Sequence, residues 1–309
     1  MGSFHQHNTH ILIHITCPLY FIQMYLIFRY FGRIRRIYTS QQVSFAMQPI
    51  MNIALRAVRQ AGEFLQQVLE RQEFSQEDVQ STLENIQRVE RQVHRVLIQN
   101  IKKSYHDHYI AALGETELTE HPVSWVVHPI LNPLAFSRGL PDTLFSLVCL
   151  HHGKAEHAVL FNPVTGDEFT ASKGRGASLN AKRVRVSSVR KLESSLVAAN
   201  LFSSKPNRSN HVIMDLYQDL LKEALHCQMS GCTALDLLNV ASGRLDCLID
   251  LNANADELAG SLLFCQEAGA LCADISGSPV KPNTKTIVAA NPKLFKATLQ
   301  KLFSFRDRI

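Results

Sequence analysis

The stretch "GCTALDLLNVASGRLDCLIDL", from Gly231 to Leu251, places one helix directly before one strand. Apolar residues recur at helical spacing from Thr233 to Ser242, and Gly243 stands where a helix commonly ends. A short apolar run, Leu245 to Leu251, then has the pattern of a buried strand. A helix and a strand this close together predict an α/β fold.

Helices and strands continue to alternate downstream of this stretch, whereas short strands separated by turns dominate upstream of it. The order of elements predicts an α/β protein of layered αβαβα type in one compact unit. The predicted helices are Met51–Glu70, Ser75–Ser104 with Ser75 and Asp78 as its cap, Ser209–Leu225, Thr233–Ser242, Asp256–Ala268 and Pro292–Phe303. The predicted strands are Tyr109–Leu113, Trp125–Val127, Leu144–His151, Ala155–Phe161, a meander within Gly166–Ser187, Leu196–Ala199, Cys227–Ser230, Leu245–Leu251, Ala273–Ile275 and Thr286–Ala289.

The composition is that of a globular protein with a sizeable core. Of 309 residues, 46% are hydrophobic and 19% are charged, which argues against disorder. The seven cysteines form no CxxC pair and no zinc spacing with histidine, so we expect reduced, buried thiols in a cytoplasmic protein. The net charge is +5, and four of the positive charges are arginines within residues 1–46, a segment without acids. The remainder is nearly neutral and carries no direct signal for nucleic-acid binding.

Residues 1–46 differ from the rest of the chain. The run Ile11–Phe28 is largely apolar and arginines follow it, which is the pattern of a membrane anchor. The run is short, however, and His14, Pro18 and Gln23 interrupt it. We therefore expect an N-terminal extension that is either disordered or lies upstream of a true start at Met47, with the folded domain at 47–309 and no membrane association unless the run is a real anchor.

Four stretches resemble the inositol monophosphatase family, and most of all its bacterial SuhB branch. They are "MQPIMNIALRAVRQAGEFL" from Met47, "FTASKGRGASLNAKRVRVS" from Phe169, "GCTALDLLNVASGRLD" from Gly231 and "DELAGSLLFCQEAGALCADISGS" from Asp256. The resemblance implies the αβαβα sandwich of the inositol monophosphatase and fructose-1,6-bisphosphatase type. It also implies a Mg²⁺-dependent phosphomonoesterase, in which carboxylates hold the metal ions and a metal-activated water attacks phosphorus.

Three acids fall on positions that bind metal in this family. Glu115, in "LGETE", matches the first Glu of the family's Gly-Glu-Glu turn, although the alignment there needs a two-residue shift. Asp256, in "NADELAG", matches the Asp at a helix start, a place that also suits an acid electrostatically. Glu90 matches an Asp on the second helix with one methylene more, and a solvated helix-face Glu explains it equally well.

The family's central metal loop is present in "WVVHPILNPLAF", Trp125 to Phe136, but without its acids. By resemblance, His128 and Leu131 replace two Asp ligands, and Pro133 replaces the Thr that orients the attacking water. Imidazole is a poor Mg²⁺ ligand and leucine is none. Proline offers neither a hydroxyl nor an N–H. We therefore expect that Mg²⁺ binds weakly or not at all and that catalysis is lost.

The positions that bind substrate in the family match this sequence better than the positions that bind metal. Asp250 lies where the family has a Glu that holds inositol hydroxyls, and Gly231, Cys232, Thr233 and Ala234 match the backbone part of the same pocket. Acids are also common where a strand leaves a sheet, so Asp250 has a structural explanation as well. The glycines of "KGRGAS", from Lys173, could suggest a nucleotide loop, but the flanking pattern favours a β-turn.

The sequence leaves three functions open. The first is a family member without hydrolysis that is retained for binding, as the SuhB branch associates with RNA polymerase and NusA in ribosomal RNA transcription antitermination. Against this, Gln228 and Met229 stand where that branch has paired arginines. The second is a phosphatase of inositol phosphates with an altered Mn²⁺ or Zn²⁺ site. The third is a decayed copy without a selected function. The resemblance also implies a homodimer.

Overall fold

A computed structural model describes residues 49–71, 74, 78–115, 121–202 and 210–306. The predictions made for residues 1–46, including the apolar run Ile11–Phe28 and the start at Met47, lie outside these residues. Within them, no helix combines the length and the apolar character needed to cross a membrane.

Two long helices form the first layer. Helix α1 spans Pro49–Glu70 and helix α2 spans Val79–Ser104. The predicted start of α2 is wrong, because Asp78 is the N-cap residue and its side chain accepts a hydrogen bond from the Gln80 N–H at 3.0 Å. The Asp78 carboxylate thereby satisfies one of the amides that the first turn leaves open.

The second layer is a seven-stranded sheet whose strands lie in chain order. Strands β1 and β2 are parallel and the other neighbours are antiparallel. The short helix α3, Pro133–Ser137, connects β2 to β3. The strands are β1 Tyr109–Ile110, β2 Val123–Leu131, β3 Leu144–His151, β4 Lys154–Phe161, β5 Glu168–Ser172, β6 Gly176–Leu179 and β7 Lys182–Arg183.

The remaining layers contain a five-stranded sheet and four helices. The sheet order is β11-β12-β10-β8-β9, with β10, β8 and β9 mutually parallel and β12 antiparallel to both of its neighbours. The strands are β8 Leu196–Asn200, β9 His226–Gln228, β10 Cys247–Asp250, β11 Leu271–Ala273 and β12 Ile287–Ala290. The helices are α4 Asn210–Glu223, α5 Thr233–Ala241, α6 Ala259–Ala268 and α7 Pro292–Arg306, with 3₁₀ turns at Leu192–Ser194 and Ala255–Glu257.

Three apolar cores hold the layers together. Helices α1 and α2 pack on one face of the first sheet, α5 and α6 fill the space between the two sheets, and α4 and α7 cover the far face of the second sheet. Alternate residues of β2 serve two cores, because Trp125 and Val127 face α1 and α2 whereas Val126 faces the central layer. This arrangement confirms the predicted αβαβα sandwich.

Strand β2 extends farther than the sequence predicts. The prediction ended it at Val127 and placed a turn at Pro129, whereas the strand continues to Leu131. Its register against β3 is regular up to His128 and shifts before Leu131. Proline has no N–H to give to a ladder, and it is accommodated at this irregularity.

The "KGRGAS" segment forms the predicted turn between β5 and β6, and a distant carboxylate satisfies its amides. Glu267, near the end of α6, accepts hydrogen bonds from the N–H groups of Gly174 and Gly176, both at 2.7 Å. The amides that a nucleotide phosphate would need are therefore already used to join the first sheet to the central layer.

We expect Glu267→Gln to lower the free energy of unfolding by about 1–2 kcal/mol. The substitution keeps the shape of the side chain but removes the negative charge from two hydrogen bonds, and charge-assisted bonds are the stronger kind. Urea unfolding followed by circular dichroism measures the change. Glu193→Gln alters an exposed acid and serves as the matched control; equal stability of the two variants would contradict the assignment.

Candidate functional site

Three chain segments meet at the end of β2. Asn132 follows the strand with left-handed backbone angles, φ 61° and ψ 68°. A Cβ built on Gly231, just before α5, would lie 3.9 Å from the Asn132 Nδ2 atom. The main chain and the charge of Asp256 both act on the His128 ring. The fold therefore brings the altered metal loop, the glycine turn and the Asp256 segment together, as the resemblance implies.

His128 is held as a neutral side chain. Burial lowers the pKa of the imidazole, and the interactions with the Asp256 main chain and the Asp256 charge only partly oppose this. The Nε2 atom is buried and has no hydrogen-bond partner. His128 lies opposite Ser146 of β3, whose Oγ atom is also buried without a partner. The position offers one imidazole nitrogen where the resemblance implies a carboxylate.

Leu131 and Pro133 have structural roles. The Leu131 side chain is 6% exposed and belongs to the central core, and its carbonyl accepts a hydrogen bond from Thr143 Oγ1 at 2.8 Å. Pro133 is the first residue of α3, where a missing N–H costs nothing. Asn132, between them, donates from Nδ2 to the Asp142 carbonyl at 2.9 Å. The loop is thus held by packing and main-chain bonds.

Glu115 follows β1, whose two residues pair in parallel with Ser124 and Trp125 near the start of β2. The Ala112 N–H bonds its carboxylate at 2.8 Å, and the Tyr109 hydroxyl bonds both oxygens at 2.7 and 2.8 Å. These bonds, that from Ala112 first, lower the pKa of Glu115. Glu90 lies half-buried in α2, where burial raises the pKa of its carboxyl and the charge of Arg91 opposes the rise. The metal-ligand roles of Glu115 and Glu90 stay predictions.

Asp256 does not begin a helix of the α type. It lies within the 3₁₀ turn Ala255–Glu257, and α6 begins only at Ala259. The predicted helix start is wrong by three residues because the chain first makes this turn beside His128. Asp256 is half-buried, and burial raises the pKa of its neighbour Glu257. The role of Asp256 as a metal ligand stays a prediction.

Asp250 and the start of α5 are joined by direct hydrogen bonds. Thr233 Oγ1 donates to Asp250 Oδ2 at 2.6 Å, and the Asn252 N–H donates to Oδ1 at 2.7 Å. Asp250 is buried, and burial raises the pKa of its carboxyl against the effect of these bonds. Cys232 is the N-cap residue of α5, and burial raises the pKa of its thiol to about 12. Ala234, one residue beyond Thr233, accepts a hydrogen bond from Ser261 Oγ at 3.0 Å.

Asp236 is a central residue that the sequence analysis missed. It is fully buried in α5, and its Oδ2 atom accepts hydrogen bonds from Ser230 Oγ at 2.6 Å and Asn200 Nδ2 at 2.7 Å. Its Oδ1 atom has no partner. Burial, the largest cause, raises the pKa of Asp236 to about 6, and the charges of Asp250 and Asp142 also raise it. An acid inside the apolar run "TALDLLNVA" was the available signal.

A model of the inositol monophosphatase family matches residues 46–307. The chain belongs to the inositol monophosphatase family. Among its relatives, the protein named Nus factor SuhB from Pseudomonas aeruginosa is 33% identical over 261 residues, covering 82% of this chain and 95% of that protein. Nus factor SuhB from Escherichia coli is 32% identical over 255 residues, covering 82% and 95%. The resemblance to the SuhB branch is thereby confirmed.

Solved structures of the inositol monophosphatase family share the fold. The extragenic suppressor protein suhB from Bartonella henselae aligns with a TM-score of 0.69 at 23% identity, covering 83% of this chain and 100% of that chain. An IMPase from Thermotoga maritima aligns with a TM-score of 0.69 at 20% identity, covering 84% and 99%.

The family is generally Mg²⁺-dependent, and the donor set at the end of β2 does not fit this ion. Mg²⁺ requires hard oxygen ligands in near-octahedral geometry. The loop instead presents an imidazole nitrogen at His128, an apolar core side chain at Leu131 and a pyrrolidine ring without a donor or acceptor at Pro133. Throughout 49–71, 78–115, 121–202 and 210–306, no three His, Cys, Asp or Glu side chains form a group that could hold a metal ion.

Several acids nevertheless surround the glycine turn of this inositol monophosphatase fold. Burial raises the pKa of Asp142, Asp236, Asp250 and Glu257. The charges that act on the Cys232 thiol come from Asp236, Asp142 and Glu257. A phosphate group entering here would meet charges of its own sign, so without bound cations the arrangement disfavours phosphate esters.

Proposed function

We propose that the chain is a SuhB-like protein that has lost phosphomonoester hydrolysis and acts by binding. The observation that carries the proposal is the position of Leu131, whose side chain packs in the central core at 6% exposure where the family needs a metal-binding acid. Two further replacements support it. His128 Nε2 is buried without a partner, and Pro133 begins α3 with neither hydroxyl nor N–H to give.

The energetic argument is that hydrolysis needs the carboxylates that are replaced. A two-metal mechanism stabilises both the attacking and the leaving oxygen, and it depends on acids that hold the metals. Loss of one preorganised electrostatic group costs about 3–4 kcal/mol of transition-state stabilisation. Two acids and the water-orienting hydroxyl are replaced together, so the remaining activity is expected to be near zero.

A second candidate is a phosphatase of inositol phosphates with an altered metal site. The interaction of the His128 ring with Asp256 favours it. Such a site would hold Mn²⁺ or Zn²⁺, since imidazole nitrogen suits these ions better than Mg²⁺.

We expect the purified full chain to show no hydrolysis of inositol-1-phosphate above background with Mg²⁺, Mn²⁺ or Zn²⁺. The measurement is phosphate release over time, with a Glu115→Gln variant assayed in parallel. Equal background in both proteins supports loss of hydrolysis. Turnover by the unchanged chain that disappears in Glu115→Gln would establish the second candidate instead.

The binding role is tested separately with purified RNA polymerase and NusA. Gln228 ends β9, and Met229 follows it with 52% of its side chain exposed, where the SuhB branch has paired arginines. If the inherited surface is kept, immobilised full-length protein retains polymerase or NusA, and the double change Gln228→Arg with Met229→Arg strengthens retention. Glu193→Arg adds an exposed positive charge elsewhere and is the control. Retention of neither partner, with or without the arginines, would leave decay as the explanation.

A further inference from the structure

Two cysteines flank the tight turn that joins α6 to β11. Cys265 lies near the end of α6 and Cys272 lies in the middle of β11. Gly269 reverses the chain between them with φ 90°, and the Ala270 N–H donates to the Cys265 carbonyl at 2.9 Å. The side chains of Cys265 and Cys272 interact with each other. Cys265 is part of the central core and the Cys272 side chain packs against it, which places both thiols on the core side of the turn.

The two thiols differ in access to solvent. Cys265 is fully buried, and its Sγ atom also donates to the Leu237 carbonyl at 3.3 Å. Cys272 is half-buried. It lies on β11, an outer strand of its sheet that pairs with β12 on one side only. A small reagent can therefore reach Cys272 first, and Cys265 lies behind it.

We propose that Cys265 and Cys272 form a redox modification site at which a low-molecular-weight disulfide, such as oxidised glutathione, drives formation of an internal disulfide bond. The established family fold does not need this pair, and the proposal is independent of whether hydrolysis is kept.

The reaction balances as two thiol–disulfide exchanges. The Cys272 thiolate attacks one sulfur of the reagent, which forms a mixed disulfide and releases one reagent thiol. Cys265 then loses its proton, and its sulfur attacks the Cys272 sulfur and releases the second reagent thiol. The protein loses two electrons and two protons, and the reagent disulfide is reduced to two thiols.

The contact between the thiols raises the pKa of Cys265 well above the ordinary value, and burial raises it further. The buried thiol is therefore a poor nucleophile towards reagents in solution. Attack on a neighbouring sulfur is different because the partner is already in place, and proximity offsets the small thiolate fraction.

The other described cysteines provide a contrast. Burial raises the pKa of the Cys149, Cys232 and Cys247 thiols to about 12 in each case. Cys227 is half-exposed. Cys227 on β9 and Cys247 on β10 both pair with Val197 of β8, from opposite sides of that strand. Two strand spacings amount to about 9.6 Å, which exceeds the ~7 Å limit for a disulfide. Cys227 can therefore form a mixed disulfide with glutathione, but Cys247 is too far away to resolve it into an internal disulfide.

The test treats the folded full chain with oxidised glutathione and digests it with trypsin and a glutamate-specific protease. Cleavage after Glu257, Glu267 and Lys285 separates peptide 258–267, which contains Cys265, from peptide 268–285, which contains Cys272. We expect mass spectrometry to find these peptides joined by a disulfide, with the midpoint of thermal unfolding raised by roughly 5 °C. The Cys227→Ser variant should still give the two joined peptides. The Cys272→Ser variant should give neither the joined peptides nor the raised midpoint of thermal unfolding.

The outcomes separate cleanly. Linked peptides from protein whose circular dichroism remains native support the proposal. Glutathione on Cys227 together with free Cys265 and Cys272 would overturn it, and so would a stable mixed disulfide on Cys272 that Cys265 does not resolve. If Cys272→Ser proves unstable, Cys272→Ala provides the same comparison with an apolar side chain.

Discussion

Replacing Leu131 with aspartate lowers the free energy of unfolding by about 3–5 kcal/mol near neutral pH, although it restores a family-type acid to the loop. Leu131 is 6% exposed and packs in the central core. The substitution removes buried apolar volume, which alone costs about 2–5 kcal/mol for leucine, and it places a carboxylate without a designed partner among apolar side chains. Urea unfolding of the full chain at pH 7 measures the loss.

Leu131→Asn is the matched control, since it has the same size and no charge. Burial raises the pKa of an introduced aspartate above its unfolded value of about 3.9, so the folded state holds the proton more tightly. Stability of Leu131→Asp therefore falls as pH rises from about 4 through the folded pKa, whereas Leu131→Asn shows no such slope. The free energies of unfolding of the two variants should be nearly equal at pH 4, and that of Leu131→Asp should be the lower one at pH 7. Native stability of Leu131→Asp that depends on added Mg²⁺ would instead indicate that the loop still forms a metal site.

The layered fold was predictable because its signals are local. Apolar residues at helical spacing predicted α1, α5 and α7, and Gly269 ends α6 with the left-handed backbone expected of a helix-terminating glycine. Alternation along the strands and the helix between them then restricted the layers to few arrangements. The family resemblance in four stretches pointed to the same architecture.

The errors arose where tertiary contacts overrule a local signal. The prediction ended strand β2 at Val127, two residues before Pro129, but β3 pairs with β2 on both sides of this proline. Asp256 reads as a helix start, but the chain first turns beside His128. Spacing cannot reveal the contact of Cys265 with Cys272, because it depends on how α6 and β11 pack after the turn at Gly269.

Individual positions of the candidate site were predicted from the sequence, but nothing in the sequence indicated the hydrogen bonds that connect the Asp236 network. Resemblance gave His128, Leu131 and Pro133 as the altered loop, and the structure brings that loop to Gly231 and Asp256. Asp236 was missed because its partner Asn200 lies 36 residues away in sequence, on another element. A buried acid bonded to an amide from a distant strand leaves no periodic trace in the sequence.

The Asp236 network leads to the second large effect, a stability that falls as pH rises. Asp236 has a folded pKa of about 6, against about 3.9 in an unfolded chain. A raised pKa means that the folded state binds the proton more tightly, so its contribution is full below pH 4 and is lost as pH rises through about 6. Two pKa units correspond to about 3 kcal/mol.

Asp236→Asn removes this titration while keeping an oxygen that can accept the hydrogen bonds from Ser230 and Asn200. Its new N–H₂ replaces Oδ1, an atom without a partner, and any cost of that change does not depend on pH. We therefore expect the stability of the variant relative to the unchanged chain to rise by up to about 3 kcal/mol between pH 4 and pH 7. Urea unfolding at pH 4, 5, 6, 7 and 8 measures this slope.

Asp167→Asn is the control with the opposite sign. Burial raises the pKa of Asp167, but hydrogen bonds led by that from Arg244 outweigh burial and leave the pKa lowered. Its contribution is therefore present above the unfolded pKa and is lost as pH falls, so this variant loses stability relative to the unchanged chain as pH rises from acid values. The difference in free energy of unfolding between Asp236→Asn and the unchanged chain could instead be independent of pH while Asp167→Asn shows its expected pH dependence. That result would mean that Asp236 is not a strongly buried acid. The opposite slopes together would establish that the acid beneath the glycine turn destabilises the folded protein at neutral pH, a cost that a bound ligand with hydrogen-bond donors could offset.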